Sequence, residues 1–300
     1  MKGNKVAFWN VGSKPTEDPI IFGCSSNGFS SAEKCISPKL NAISVWDHEL
    51  PGEVLKGNYE SVLKSFSGLS FTPQIAIVLF SKSEGSEQFL DRASEILSNT
   101  AFIGGGAAFS GEIPQGEILP DATDVCVLAV SEGSYQIETL NIYEDTKLQL
   151  EFEPTSAREI ARVRELPNGN WKNAISFYRS IQTELEIEPD NFEKLCFCDK
   201  NRRNLHCSIM NDNLFAGANL PKDNLLSLKL ISREKASEKL KKFMSSSDSL
   251  IFGCAGIRSL VEEPFHTGER SLAGFMFGEI ITCGKQPELG NLMLTKLSIV

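Results

Sequence analysis

The chain has 300 residues, 41% hydrophobic, 23% charged and 9% aromatic, the composition of an ordered globular protein with room for one large domain or two ordinary ones. Its net charge of −9 argues against nucleic acid or an anionic membrane as the main partner, because either polyanion would repel such a surface unless a strong basic patch intervened. No apolar run reaches the roughly 18 residues of a membrane span, and no signal-peptide pattern opens the chain, so its eight cysteines read as free thiols in the cytoplasm.

In chain order, "KVAFW", "PIIFGC" and "NAISVWDH" read as strands, being apolar, β-branched and partly alternating. "PGEVLKGNYESVLKSF" predicts a helix, with Pro51 tolerated in its first turn. "PQIAIVLFS" is nearly continuous in apolar residues, as for a strand covered on both faces. In "GSEQFLDRASEIL" the residues Phe89, Leu90, Ala93, Ile96 and Leu97 fall on one helical face, with Ser86 as the expected N-cap. "TAFIGGGAAFSGEI" then reads as a strand entering glycines.

The middle of the chain is strand-heavy, with "DVCVLAVS", "YQIETLNIY" and "LQLEFE" in succession. "NWKNAISFYRSIQTEL" follows as a helix whose apolar side carries Trp171, Ala174, Ile175, Tyr178, Ile181 and Leu185. The acidic, proline-containing "EIEPDN" is the expected boundary, near 186–191, between a half at 1–185 and a half at 192–300. Beyond it "KLCFCD", "LHCSIM", "NLFAGANL", "LLSLKLIS", "SLIFGC", "LAGFMFGEII" and "NLMLTKLSI" read as strands. The best basic stretch, "REKASEKLKKF", places Ala236, Leu240, Phe243 and Met244 at helical spacing, so its lysines form the wet side of an amphipathic helix. The expected fold class is α+β: two related halves of mixed, mainly antiparallel sheets flanked by helices.

The halves share two short signatures in the same order. "IFGC" occurs at Ile21–Cys24 and at Ile251–Cys254, and G-E-I follows each copy, in "AAFSGEI" and in "GFMFGEI". The closing region "LIFGCAG…LAGFMFGEI…GNLMLTKLSI" resembles the C-terminal half of FIST domains, as do "NLFAGANLP" and "LLSLKLISREKASEKLKKF". "FGCSSNGF" and "FIGGGAAF" resemble elements of the N-terminal half, so the resemblance spans roughly Pro19 to Val300, with a shortened N-terminal region.

The resemblance implies a small-ligand sensory module in signal transduction, with amino-acid-like ligands. It carries no appended kinase, cyclase or DNA-binding segment, so its output is expected to pass through a partner protein. The implied ligand-binding residues are Cys24, Ser25, Ser26, Gly104, Gly105, Gly106, Cys254, Arg258, Gly278 and Glu279.

The residues themselves leave several chemistries open. Three consecutive glycines after a strand suit a tight turn or a close backbone approach better than a phosphate loop, because neither the G-x-G-x-x-G nor the Walker pattern is present. Cys24 or Cys254 with His266 is the alternative of a cysteine-dependent hydrolase or transferase, and a scaffold with a silent pocket is another. Cys196, Cys198, His206 and Cys207 lack the paired spacing of zinc knuckles, so no metal is expected there, and no cofactor elsewhere. Glu112 and Glu279, the acids of the two G-E-I segments, each need a partner if buried, and Arg258 or Arg270 could serve Glu279.

Overall fold

Ile75–Phe80 is buried at every position, its Ile77 and Leu79 entering one apolar cluster and its Ala76, Val78 and Phe80 another on the opposite face. This is the two-sided strand that its unbroken apolar run predicts. The structure, a computed structural model, describes all residues except 1–2, 17–20, 33–34, 38–41, 83, 110–114, 188–194, 211–212, 261–265 and 284–285, and the side chains of 233, 258–260 and 283. The described chain is α+β, with strands in two sheets and helices α1 (Tyr59–Phe66), α2 (Ser86–Ile96), α3 (Ala174–Glu184), α4 (Arg233–Met244) and α5 (Ala255–Leu260). No helix among the described residues is long and apolar enough to cross a membrane.

Contacts divide the chain into two compact units. One unit comprises Met1–Leu140, Leu240–Leu289 and Met293–Val300; the other comprises Asn141–Lys239 and Gly290–Leu292. Of the expected boundary, 188–191 lies outside the described residues.

The first unit repeats one arrangement three times. Gly3–Asn10 pairs in parallel with Ile21–Ser26, Ile75–Phe80 with Ala101–Gly106, and Ser249–Cys254 with the start of Leu272–Cys283. The leading strand of each pair also has an antiparallel neighbour: Ile43–Gly57, Val125–Val130 and Met293–Ile299 respectively. The two "IFGC" copies therefore occupy different places, since the first lies in the second strand of its pair and the second in the leading strand of its pair. The strand before the first G-E-I, Ala101–Gly106, and the strand that contains the second, Leu272–Cys283, do hold the same place, while residues 111–113 themselves lie outside the described residues. Short identical words in a chain rich in phenylalanine and glycine need not mark equivalent strands.

The strand order of this unit returns on itself. From Leu272–Cys283 it runs through Ala101–Gly106, Ile75–Phe80, Val125–Val130, Ile43–Gly57 and Gly3–Asn10 to Ile21–Ser26. The chain then passes Asn27 and Gly28, which bond to Phe275, and Phe29–Ser31 pairs back onto Leu272–Gly274. The enclosed face carries Val6, Phe8, Phe22, Cys24, Ile77, Leu79, Ile103, Phe252 and Met276. Phe8 and Phe252 meet edge to face at 5.6 Å, and Gly274 lies so close beneath Phe8 that a Cβ would come within 2.6 Å of the ring. α1 and α2 cover the outer face with Val62, Leu63, Phe66, Phe89, Leu90 and Ala93.

Two expectations here are corrected. The helix expected from Pro51 onward is strand as far as Gly57, and only Tyr59–Phe66 is helical, capped by the Asn58 side chain on Ser61 N–H. Pro51 sits where Ile43–Gly57 changes neighbours, pairing with Gly3 while Gly52 begins the pairing with Val130, and its carbonyl accepts from Ser131 N–H at 2.9 Å. No donor is required of it there, so proline is tolerated in the strand. The N-cap of α2 is Gly85, not Ser86: Gly85 adopts φ +82, and the Tyr59 ring occupies the space its Cβ would need.

The second unit also closes. Its order runs Asn204–Leu205, Leu195–Cys198, Leu225–Leu230, Glu144–Pro154, Glu159–Glu165, Asn213–Ala216, Cys207–Met210, and its first and last members are one run, 204–210, interrupted only at His206. Alternate residues fill the interior, among them Leu150, Phe152, Leu195, Phe197, Leu226, Leu228, Leu205 and Cys207, and α3 adds Ala174, Phe177, Tyr178 and Ile181. Trp171 precedes the helix, stacked by the guanidinium groups of Arg162 and Arg164 at 5.5 and 5.0 Å. In α4 the expected Ala236, Leu240, Phe243 and Met244 are all buried.

Candidate functional site

Glycine at 104–106 permits a backbone approach that other residues would block. A Cβ on Gly104 would stand 2.0 Å from the Val78 carbonyl oxygen, one on Gly105 2.7 Å from that of Gly278, and one on Gly106 2.3 Å from that of Phe277. Gly104 also takes φ +126. The glycine run is therefore a strand held between two close neighbours rather than a turn.

On one side of it lies a bulge. Phe277 faces Gly106 and Glu279 faces Gly105, so Gly278, at φ +72, is the extra residue. Before the bulge Leu272 and Met276 point into the enclosed core; after it Ile280 points to the helix-covered side. The shift by one residue turns Glu279 inward, onto the face that an unbroken strand would give to its neighbours. A carboxyl thus enters an apolar interior, fully buried, beside a residue that has no side chain.

Its partners are few. Glu279 Oε1 accepts from Met293 N–H at 2.7 Å, and Oε2 has no hydrogen-bond partner among the described residues. Cys254, on the same inward face as Leu250 and Phe252, hydrogen-bonds the carboxyl through its thiol. Burial pushes the carboxyl up to about 8, against the smaller opposing pull of the backbone bonds and the Cys254 thiol. A neutral acid here avoids the large cost of an isolated buried charge. At the bulge a Cβ on Gly278 would meet nothing within 4 Å, and Gly106, Gly278 and Cys254 are each half-buried. Phe277, just before the bulge, meets Phe109 at 5.1 Å with the rings tilted by 38°, the two being 44% and 52% exposed.

Of the residues expected to bind ligand, Gly104, Gly105, Gly106, Gly278, Glu279 and Cys254 come together in this way. Cys24, Ser25 and Ser26 are wholly buried in their own strand. Ser25 Oγ donates to the Ala108 carbonyl at 2.6 Å and accepts from Glu117 N–H at 2.9 Å, and Ser26 Oγ donates to the Trp9 carbonyl at 3.3 Å. These hydroxyls are engaged in joining strands. Arg258 lies on α5 with its side chain outside the described residues, and Glu112 lies outside them altogether.

Arg270 is not the partner of Glu279. It pairs with Asp248 at 2.7 Å, and His48 bonds the same carboxylate oxygen at 2.9 Å. Met293 is a partner that the sequence reading missed, and no side-chain pattern could have found it because the contact is made by its backbone.

The cysteine chemistry gains little. Burial in the apolar core pushes the Cys24 thiol up, the reverse of what a nucleophile needs, and His266 is exposed. In the second unit burial also raises the Cys196, Cys198 and Cys207 thiols and lowers His206 to about 4. Among the described residues no three His, Cys, Asp or Glu side chains are grouped to hold a metal. Comparison with models of known families finds no match for this chain, and comparison with curated proteins finds none either.

Proposed function

We propose that this chain is a cytoplasmic sensory module of FIST type that binds a small, amino-acid-like ligand and passes the signal through a partner protein. The observation that carries the reading is Glu279: a fully buried carboxyl, at a glycine bulge, with one oxygen that has no partner among the described residues. Native structures rarely leave such a group unsatisfied without a use for it. The bulge residue Gly278 is half-buried, and Phe277 just before it packs on Phe109, both rings partly exposed. A ligand that supplies the missing partner stabilises one conformation and so shifts the populations a partner protein can read.

The test is a thermal-shift screen of amino acids and related amines at millimolar concentration. A ligand present at about 100 times its Kd stabilises the native state by about 2.7 kcal/mol, and the melting temperature is expected to rise accordingly. The rise should disappear in Glu279→Gln. A flat response across the panel contradicts the reading.

A further inference from the structure

We propose that the second unit carries a binding site of its own, a cavity between α3 and Cys207–Met210 that takes a small carboxylate with an apolar tail. The cavity measures about 500 Å³, within the usual range for small-molecule sites, and every residue that lines it is described. It lies wholly within this unit and does not rest on the Glu279 reading.

Helical spacing builds one wall. Tyr178 and Gln182, like Arg179 and Thr183, stand four residues apart, so together they form one flank of α3. Period two builds the facing wall, since Cys207 and Ile209 share one side of their strand. Tyr178 ties the walls together, its hydroxyl donating to the Cys207 carbonyl at 3.3 Å, and Ile187 completes the lining. Tyr178, Ile187 and Cys207 belong to the unit's apolar cluster and Ile209 packs against it, which makes this lining a seat for an apolar tail.

Two side chains give the site its polarity. Gln182 is only 9% exposed, on a buried stripe with Phe177, Tyr178 and Ile181, yet its amide has no hydrogen-bond partner among the described residues. Its amide atoms are not sealed in, since both keep some accessible surface. A largely buried amide in that position calls for a partner from outside the chain. The backbone at this helix end is already engaged: the Gln182 carbonyl accepts from Ile187 N–H at 2.8 Å and the Thr183 carbonyl from Glu186 N–H at 3.2 Å. Arg179, on the same flank, is exposed and forms no ion pair among the described residues. Glu184 and Glu186 are exposed nearby but do not line the cavity. A carboxylate answers both groups, accepting from the Gln182 amide N–H while the guanidinium supplies the opposite charge and further donors. An ammonium would meet Arg179 with like charge.

The probe is 4-fluorophenylacetate, with 4-fluorophenylacetamide and 4-fluorobenzylammonium as neutral and cationic counterparts, titrated into the intact chain and followed by fluorine NMR. Saturable binding of the carboxylate is expected, with the amide about three- to tenfold weaker and the ammonium weaker still. Acetate, which lacks the tail, should fail to compete at equal concentration. Arg179→Met keeps the stem of an exposed helix residue and should lower carboxylate affinity to that of the amide. Gln182→Leu removes the amide without opening the flank and should also weaken the carboxylate. Melting temperatures check that both variants are folded, and the charge preference is read on the unaltered protein. Equal binding of the three probes, equal competition by acetate, unchanged carboxylate binding in either variant, or no binding at millimolar concentration overturns the proposal.

Discussion

Replacing Glu279 with glutamine is expected to flatten the pH dependence of stability between about pH 4.5 and pH 8, the window set by the carboxyl's ordinary value and its buried one. Because the folded-state value is raised, the folded chain holds a proton that the unfolded chain has released. This carboxyl therefore favours the unfolded state increasingly as pH rises through the window. The slope is about 1.4 kcal/mol per pH unit, or about 4–5 kcal/mol across the whole interval. Glutamine is neutral at every pH, and its carbonyl can still accept from Met293 N–H. The difference between the variant's and the parent's urea unfolding free energies, followed over a pH series, should grow steadily in the variant's favour. Parallel curves would show that Glu279 is ionised in the native state and that its charge is compensated.

The second large effect lies in the other unit, in the turn between Leu195–Cys198 and Asn204–Leu205. Asp199 and Arg203 are both buried, and Arg203 Nε donates to Asp199 Oδ2 at 2.9 Å. Asp199 Oδ1 also accepts the backbone N–H of Asn201 and Arg203, at 2.9 and 3.0 Å, and Arg203 Nη2 donates to the Asn219 carbonyl at 2.8 Å. Arg203→Ala removes the charge partner and leaves a carboxylate buried without compensation, a loss of about 3–5 kcal/mol. Adding Asp199→Asn should recover part of it, since the amide oxygen can keep the two backbone bonds once the negative charge is gone. Chemical denaturation of the single and double variants measures both. Equal losses in the two would mean that packing of the arginine stem, not its charge, holds the turn.

Most strands were legible from short apolar runs, unbroken where both faces are covered, as in Ile75–Phe80, and alternating in burial where one is, as in Leu225–Leu230. What the sequence hid were places where tertiary pairing overrules a local preference. Residues 51–57 carry a plausible helical pattern, yet Val125–Val130 offers them a full ladder of backbone partners. Ser86 looks like a cap, yet Gly85 alone can take the left-handed conformation beside Tyr59. "IFGC" suggested equivalent strands, and only the pairing partners show that they differ.

The site was half legible. The glycines and Glu279 stand out as residue types, but the inward turn of the carboxyl depends on a one-residue bulge, and its partner Met293 acts through its backbone. Ser25 and Ser26 entered only through the resemblance, and their hydroxyls bond from strand to strand, which no residue pattern foretells.

Infrared difference spectroscopy reads the protonation state of the buried Glu279 carboxyl directly. The spectrum of the unliganded chain minus that of Glu279→Gln, taken at pH 6, should show the carbonyl stretch of a protonated carboxylic acid, and that band should vanish as pH rises through about 8. A difference spectrum containing only carboxylate bands at pH 6 would contradict it.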